Sequence, residues 1–318
     1  GPRISTIGLG AMSFAGAFGA TDLETSLECL DAAYASGINF IDTANIYGMG
    51  RSEEVIATWL RTRKADVVIA SKCGIQRNSD RPVNNDPAYI RQELEGSLRR
   101  LGVERIDLYY LHRVDPNVPL EASIGTMAEL QAEGKIGGYG LSEAAPYTVR
   151  RAHDIAPCTA VQNEYSLWTR LPELGLIQTC SALGITFVPF SPLARGVLTD
   201  RYPDITQMAA TDFRRGLPRF QPDNYRRNLA MVDEFRQLAA QMEVTTSALA
   251  MAWVLSRGAH LVPIPGTRTA AHVKDWVTAD QITLSAADLD EIERCLPVGF
   301  AYGDRYSDAL SRTPERYC

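Results

Sequence analysis

The chain has 318 residues, 45% of them hydrophobic and 22% charged, which is a composition typical of a globular protein. Its formal net charge of −6 disfavours a surface that binds nucleic acid. Its six cysteines are scattered without a C-x-x-C pair, which disfavours a disulfide framework or a zinc site, and we expect no metal. We find neither a signal peptide nor an apolar run of roughly 18 residues, so we expect a cytoplasmic protein without a membrane span.

Short β-rich runs alternate with amphipathic helical stretches along the chain. We predict strands over residues 5–10, 39–43, 67–72, 108–112, 137–141, 160–163, 186–190 and 261–264. We predict helices over residues 23–36, 53–62, 87–101, 120–133, 145–155, 174–183, 228–242, 247–256 and 269–277. Eight such units imply parallel strands with crossover helices. In a chain of this length they predict an α/β fold, a closed (β/α)8 or TIM barrel, as one domain over residues 1–318.

An open doubly wound sheet is the alternative, and it usually has a glycine-rich turn after its first strand. Gly8 and Gly10 supply G-x-G, but Ser13 stands at the third glycine position, and more loop follows before the first helix. G-x-G alone is weak evidence, so the barrel is favoured. The P-loop, H-E-x-x-H and G-x-S-x-G patterns do not occur in the sequence.

Two segments are too long for ordinary connections between barrel elements. Residues 194–227 are rich in Arg, Pro, Gly and Asp, and residues 297–318 form a tail that carries four aromatic residues. Loops of this length are usually functional or disordered. Because both segments follow late strands, we expect them to lie over the carboxyl-terminal face of the barrel.

Four polar residues stand at or just after the ends of apolar runs. Asp42 and Tyr47 lie in GINFIDTANIYG, Lys72 ends VVIASK, and His112 ends IDLYYLH. Each residue alone has a structural explanation, such as capping a turn or packing at the top of a barrel. Together they belong to three neighbouring predicted strands, at the carboxyl ends where barrel enzymes place their active sites. The sequence therefore predicts a site built from these four side chains.

The combination of Tyr, Lys, Asp and His suits the reduction of a carbonyl group, because the oxygen that gains negative charge must receive a proton. A free tyrosine has a pKa of about 10, and a nearby ammonium group lowers it. We expect Lys72 to lower the pKa of Tyr47, Asp42 to hold Lys72, and His112 to orient the oxygen or share the proton. Such a matched acid contributes roughly 10²- to 10⁴-fold in rate.

Longer motifs around these residues resemble those of the aldo-keto reductase family over nearly the whole chain. GINFIDTANIYGMGRSEEVI is similar to the family's first signature, IASKCG carries Lys72, and IDLYYLHRVDP carries His112. GKIGGYGLSE, AVQNEYSLW, FVPFSPLARGVLTDRY and VPIPGTRTAAHVKDW resemble later motifs in the right order. The resemblance implies a (β/α)8 barrel that binds NADPH without a doubly wound nucleotide-binding fold. It also implies reversible reduction of an aldehyde or ketone by hydride from nicotinamide C4.

The same resemblance implies roles for individual residues. Tyr47 would be the general acid, supported by Lys72 and Asp42, and His112 would orient the carbonyl. Ser142 and Gln162 would hold the nicotinamide carboxamide, and Phe190 would stack on the ring. The remaining residues assigned to the cofactor are Gly10, Met12, Asp42, Ser191, Leu193, Gly196, Leu198, Arg201, Gly266, Thr267, Arg268, His272 and Asp275.

The last motif addresses the choice of cofactor. GTRTAAHVKD begins a helix whose amino-terminal amides favour phosphate, and Arg268 can add a bidentate contact to a 2′-phosphate, which favours NADPH over NADH. A solvated basic start of the helix is the alternative. Three positions depart from the family's pattern: Trp276 replaces an adenine-contacting Asn of many relatives, Asp275 replaces Glu, and Glu143 stands where one branch has Asn.

We expect an apolar, aromatic substrate pocket over the barrel, although each candidate could equally be a core residue. Arg113 could meet an acidic substrate or lie at the surface. Broad carbonyl substrates, pyridoxal, sugar aldehydes and polycyclic ketones all fit, and the oligomeric state stays open. The candidates for the pocket are Met12, Phe14, Tyr47, His112, Trp168, Tyr302 and Tyr306.

A regulatory role is the alternative function. The family includes channel β-subunits that bind NADPH and keep the same four catalytic residues, so those residues do not separate the two roles. The sequence begins close to the first predicted strand without an amino-terminal extension, which we take to disfavour a regulatory subunit.

Overall fold

The protein forms a barrel of parallel strands surrounded by helices, as described by a computed structural model for residues 1–76 and 79–317. Seven strands form one sheet in the order β1 to β7, each parallel to the next. The predicted (β/α)8 barrel is confirmed. The strands are β1 (Leu9–Gly10), β2 (Phe40–Asp42), β3 (Val68–Cys73), β4 (Leu108–Leu111), β5 (Tyr139–Ser142), β6 (Ala160–Glu164) and β7 (Thr186–Phe190).

The predicted eighth strand closes the barrel, although only as isolated bridges to β7 and β1. The N–H groups of Val262 and Ile264 donate bonds of 2.9 and 3.0 Å to β7. On the other side, the carbonyls of Pro263 and Pro265 accept bonds of 2.9 and 3.0 Å from Gly8 and β1. Because proline has no N–H, this segment cannot return hydrogen bonds to β1, and a regular ladder does not form.

The first strand is shorter than predicted. Residues 5–8 lie beside the barrel, but the backbone N–H of Ser5 donates to the Asn39 side chain (2.7 Å), and the N–H of Asn39 donates to the Ser5 hydroxyl (3.2 Å). These side chains replace ladder partners, so only two residues of the predicted run pair as a strand.

Alternation along the strands separates two apolar layers. Residues that point into the barrel, such as Phe40, Ala70 and Tyr110, form a small inner cluster with Ala160 and Val188. Their neighbours on the strands point outward into a much larger core beneath the helices. This period of two residues is what a sheet with both faces buried requires.

Ten α-helices are described, besides short 3-10 helices, and most of the ten lie close to their predicted ranges. The helix α7 begins at Pro222, six residues before the predicted start, because proline is well accommodated in a first helical turn. A helix at residues 286–295 was not predicted. The helices are α1 (Leu23–Ala35), α2 (Arg51–Arg63), α3 (Pro87–Leu101), α4 (Leu120–Ala132), α5 (Pro146–Ile155), α6 (Leu176–Leu183), α7 (Pro222–Gln241), α8 (Thr246–Leu255), α9 (Ala270–Lys274) and α10 (Ala286–Cys295).

Both long segments pack over the carboxyl-terminal ends of the strands, as predicted. In the segment between β7 and α7, Phe213 donates a backbone bond to Ala17 in the connection after β1 (3.0 Å), and Arg219 donates to the carbonyl of Trp168 after β6 (2.8 Å). In the tail, Tyr317 accepts a bond of 2.7 Å from Asn163 of β6. These contacts carry the two segments across the mouth of the barrel.

Across the described residues, we found no single helix that is both long enough and apolar enough to cross a membrane. The pair α7 and α8 meets the length and composition criteria only when combined, and the two helices are bent by 91° relative to each other.

Candidate active site

The alternation of the strands places the predicted catalytic residues inside the barrel. Asp42 follows the inward residue Phe40 by two positions, and Lys72 follows Ala70 in the same way. His112 likewise lies two positions after Tyr110, just beyond the end of β4. All three side chains therefore reach the same carboxyl-terminal mouth.

Asp42 and Lys72 form a buried ion pair between β2 and β3. The Lys72 Nζ donates to Asp42 Oδ1 and to the Thr43 carbonyl (2.8 Å), and neither charged side chain is more than 2% exposed. Burial acts to lower the pKa of Lys72, but the charge of Asp42 and the nearby Tyr47 outweigh it and raise that pKa. Lys72 is therefore held as an ammonium group.

Tyr47 lies in the turn after β2 and completes the arrangement. The Lys72 Nζ is 3.4 Å from the Tyr47 hydroxyl and 5.0 Å from the centre of its ring. Burial raises the pKa of Tyr47, and although the charge of Lys72 acts to lower it, the net shift is upward. This differs from the lowered pKa expected from the sequence, because the barrel wall removes water from the phenol. Tyr47 is thus protonated near neutral pH and able to donate.

His112 and Tyr47 pack in a T-shaped arrangement. The two ring centres are 5.8 Å apart and the rings are inclined by 81°. The buried Nδ1 atom has no hydrogen-bond partner in the part of the chain that the structure describes. Burial, followed by the positive charges of Arg113 and Lys72, holds the pKa of His112 well below its usual range. The ring is therefore neutral near pH 7 and suited to hydrogen bonding.

Two residues predicted to hold a nicotinamide carboxamide lie side by side. Ser142 at the end of β5 is the register partner of Gln162 in β6, and both are buried. The Gln162 amide also donates to Asp42 Oδ2 (2.7 Å), a contact that the sequence did not predict. The predicted catalytic carboxylate and the predicted carboxamide site are thus directly joined.

The last residue of β7 and the loop that follows it carry six predicted cofactor residues, and part of this loop has an unusual backbone conformation. Four positions, Ser191, Ala194, Arg195 and Gly196, have φ values of 50°, 50°, 56° and 98°. Such left-handed backbone costs energy in non-glycine residues and often marks anion-binding loops. Arg201 is exposed. The six are Phe190, Ser191, Leu193, Gly196, Leu198 and Arg201.

The remaining predicted cofactor residues cluster where the eighth strand meets β1. Gly10 and Gly266 form a backbone bridge. Arg268 is half-buried and donates to the Ala20 carbonyl (3.1 Å). His272 contacts the Thr267 hydroxyl through Nδ1 (3.2 Å).

Three further residues of that region point in different directions. Met12 is half-buried beside this bridge. The backbone carbonyl of Asp275 accepts a bond from Thr245 at the start of α8. Trp276 is fully buried in the outer core, so it does not take the place of an adenine-contacting residue.

The predicted substrate residues do not all meet. Phe14 has no exposed surface and packs in the core, whereas Tyr302 is 43% exposed on the tail beside α7. Trp168 is buried against Phe220, with ring centres 5.7 Å apart. Tyr306 is buried at the mouth between Arg195 and Arg305, at 5.4 and 4.6 Å from its ring centre. Tyr306 is therefore better placed than Phe14 or Tyr302 to line the mouth of the barrel.

A buried charge network that sequence reasoning missed fixes the tail to the site. Arg305 of the tail pairs with Glu143 after β5 and with Glu164 of β6 (3.1 Å), and Arg195 pairs with Glu164 (2.8 Å). These charges hold the pKa of Glu164 at about 2 against the opposing effect of burial. Glu143, which stands where one branch of the family has Asn, thus helps to dock the tail. Glu164 ends β6 but follows Gln162 and Asn163, so it lacks the apolar run that marks Asp42 in the sequence.

A separate cavity of about 500 Å³ lies at the opposite end of the barrel. Its lining comes from residues 3–7, 36–39, 277 and 280, which precede β1 and β2 or lie beside them. In barrels of this kind the amino-terminal end serves stability and the carboxyl-terminal end serves chemistry. The candidate site is therefore the mouth described above.

Comparison with known proteins identifies the family. The model of the Aldo/keto reductase family matches residues 6–297. A probable aldo-keto reductase of Glycine max is 38% identical over 321 aligned residues, which cover 100% of this chain and 92% of that protein. This chain belongs to the aldo-keto reductase family. Its members are oxidoreductases that generally use a nicotinamide cofactor.

Other relatives agree with this assignment. This aldo-keto reductase is 36% identical to one of Strobilurus tenacellus and 35% identical to one of Schizosaccharomyces pombe named for NADP(+), each match covering 95% of this chain and 92% of the relative. A solved glycerol dehydrogenase of Gluconobacter oxydans superposes with a TM-score of 0.85 at 29% identity, covering 93% and 92% of the two chains. An aldo-keto reductase of Bacillus halodurans in its holo form superposes with a TM-score of 0.77 at 25% sequence identity, covering 96% of this chain and 95% of that one.

Proposed function

We propose that this aldo-keto reductase uses NADPH to reduce an aldehyde or ketone to an alcohol, with Tyr47 as the proton donor. The observation that carries this proposal is the position of Lys72 Nζ, bonded to Asp42 and 3.4 Å from the Tyr47 hydroxyl. A phenol beside a fixed ammonium group can give its proton to a carbonyl oxygen and recover it in the reverse direction.

The residues of the mouth fit a nicotinamide dinucleotide. Ser142 at the end of β5 and Gln162 in the middle of β6 offer paired polar groups, and Phe190 ends β7 with part of its side chain accessible. The left-handed loop after β7 suits a pyrophosphate. Arg268 donates only to a backbone carbonyl among the described residues, so its guanidinium can bind a 2′-phosphate. When bound, the nicotinamide supplies the hydride.

The chain's own residues handle the oxygen and its proton. Neutral His112 and protonated Tyr47 converge on one point of the mouth, where both can donate to a carbonyl oxygen. As negative charge develops on that oxygen, Tyr47 releases its proton and the Lys72 ammonium stabilises the phenolate that remains. Asp42 keeps Lys72 charged and in place. Preorganised donors of this kind act without moving at the moment of reaction.

A substrate panel tests the proposal. NADPH and NADH absorbance would be followed with aliphatic aldehydes, aromatic aldehydes and ketones, beside equilibrium binding of both cofactors. We expect carbonyl-dependent oxidation of NADPH and slower oxidation of NADH. Tight NADPH binding without turnover of any carbonyl would overturn the enzymatic assignment and favour a regulatory, NADPH-binding subunit.

A further inference from the structure

We propose that Arg113 is a specificity residue that binds an oxyanion, a carboxylate or a phosphate, carried by the carbonyl substrate. The inference rests on the proposed function, because it assigns a substrate class to the same site. The sequence left Arg113 open between a surface role and contact with an acidic substrate. The structure decides against the surface, since only 9% of the residue is exposed.

Within the described part of the chain, the guanidinium group of Arg113 is buried and has no acidic partner. Its Nη1 donates to the carbonyl of the preceding residue, His112, at 2.6 Å. Its Nε is buried and has no hydrogen-bond partner among residues 1–76 and 79–317. Buried charges are normally paired, because leaving one unpaired costs several kcal/mol. An arginine with unused donors at this depth is what a site for a bound anion would show.

The acidic residues nearby are already engaged. Asp115, two positions along the chain, accepts bonds from Arg81 at 2.7 and 3.2 Å. Glu143 and Glu164 are taken by arginines of the tail and of the loop after β7, and Asp42 by Lys72. Among the described residues, no carboxylate is therefore left to neutralise the buried charge of Arg113 after β4.

Arg113 stands close to the reacting groups. It directly follows His112, and its positive charge acts on His112, Tyr47 and the tail residue Tyr306. It therefore lies on the side of the mouth between the proton donor and the tail. An oxyanion bound there would hold a carbonyl of the same molecule near Tyr47.

The cofactor's phosphates do not account for this anion site. The left-handed loop and Arg268 follow β7 and the eighth strand, next to β1, whereas Arg113 follows β4 on the far side of the barrel. The anion is therefore assigned to the substrate. Arginine presents a planar fork that matches the two oxygens of a carboxylate or phosphate, which lysine cannot reproduce.

Matched pairs of aldehydes test the assignment. Succinic semialdehyde would be compared with its methyl ester, and glyceraldehyde 3-phosphate with glyceraldehyde, as kcat/KM with NADPH. We expect the native enzyme to prefer at least one anionic member about 10- to 100-fold, the range for charge-assisted hydrogen bonds. The member preferred distinguishes a carboxylate site from a phosphate site. Equal kcat/KM within both pairs would overturn the proposal.

Variants then locate the preference. Arg113→Met should lower the anionic-to-neutral ratio about 10-fold or more, and Arg113→Lys should keep part of it. Arg61→Met removes the same charge from an exposed position on α2, and the ratio should stay at the native value. If Arg113→Met does not fold, the anionic-to-neutral ratios of Arg113→Lys and of the native enzyme still test the proposal. A ratio unchanged by both substitutions at Arg113 would contradict the assignment.

A binding measurement separates this inference from the proposed function. Titration of succinate or phosphate into the protein with NADP+ should show binding that Arg113→Met weakens about 10-fold or more. If no aldehyde is reduced but succinate or phosphate binds through Arg113, the proposed function fails and the anion site stands. If neutral aldehydes are reduced and neither anion binds, the function stands and the anion site fails.

Discussion

Gln162 of β6 donates a hydrogen bond of 2.7 Å to Asp42 of β2 across the interior of the barrel. Asp42 is thereby held at both oxygens, since Lys72 donates to the other one. The carboxylate is fixed without access to water, and its charge keeps Lys72 protonated beside Tyr47. The Gln162 amide oxygen is the acceptor of that side chain, and under the proposed function it would accept from the nicotinamide carboxamide.

Removal of the Tyr47 hydroxyl tests the proton donor. Tyr47→Phe should lower kcat for carbonyl reduction by at least about 10²-fold, because no other described hydroxyl lies beside the Lys72 ammonium at the mouth. The dissociation constant for NADPH should change less than about 3-fold, since the ring is kept. Stopped-flow reduction kinetics and fluorescence titration of NADPH would measure the two quantities.

Tyr109→Phe is the matched control for that change. Tyr109 is a buried tyrosine of β4 that points outward into the core beneath the helices, and its hydroxyl has no partner among the described residues. The same atom is removed, but away from the mouth, so kcat should stay within about 2-fold of the native value. Near-native activity of Tyr47→Phe would contradict the role assigned to Tyr47.

Substitution of Arg268 tests the choice of cofactor. Arg268→Ala should raise the dissociation constant for NADPH about 10- to 100-fold and that for NADH less than about 3-fold, because only NADPH carries the 2′-phosphate. Arg268→Lys should lie between the two, since it keeps the charge and loses the planar fork. Parallel titrations of the variants with NADPH and NADH would measure these dissociation constants. An equal loss of affinity for both cofactors would rule out a 2′-phosphate contact.

The residues that could be predicted from the sequence are those fixed by local pattern. Asp42, Lys72 and His112 each follow an inward residue by two positions, so strand periodicity alone brings them to one mouth. The α10 helix was not predicted, although the sequence carries a signal for its start: Ser285 and Asp288 form a capping box. The Arg305–Glu143 pair joins residues 162 positions apart, and no local pattern records such a partner.

Arg305 is expected to dock the tail onto the barrel. Arg305→Met should lower the free energy of unfolding by about 3 kcal/mol, because it leaves Glu143 and Glu164 buried with fewer partners. Urea denaturation would measure that loss. Hydrogen exchange should become faster in residues 305–317, whose contacts to β6 and to the segment after β5 depend on the docked tail.

Arg294→Met is the control for the loss of an arginine. Arg294 pairs with Glu291 on α10, and its side chain is 62% exposed. Exposed ion pairs of this kind contribute about 0–1 kcal/mol, so the free energy of unfolding should change little. If Arg305→Met were as stable as Arg294→Met, the network would not hold the tail.

His112 should make stability depend on pH just below neutrality. Its pKa in the folded protein lies well below the usual 6.5, because burial and the charges of Arg113 and Lys72 disfavour the imidazolium. Below pH 6.5 the unfolded chain therefore binds a proton that the folded chain does not. The contribution of His112 to the free energy of unfolding is therefore fully present above pH 6.5 and should be lost as pH decreases, with a slope of up to about 1.4 kcal/mol per pH unit.

Urea denaturation at several pH values between 5.5 and 7.5 would measure the slope in the native protein and in two variants. His112→Asn has no group that titrates in this window at that position. Its free energy of unfolding should therefore depend less steeply on pH, by most of the roughly 1.4 kcal/mol per pH unit expected for one proton. Tyr47→Phe keeps His112, and the pKa of Tyr47 is raised above 10, outside the window, so its slope should match the native one. Equal slopes in His112→Asn and the native protein would show that His112 takes up its proton as readily in the folded barrel as in the unfolded chain, and the neutral hydrogen-bond donor assigned to the mouth would be lost.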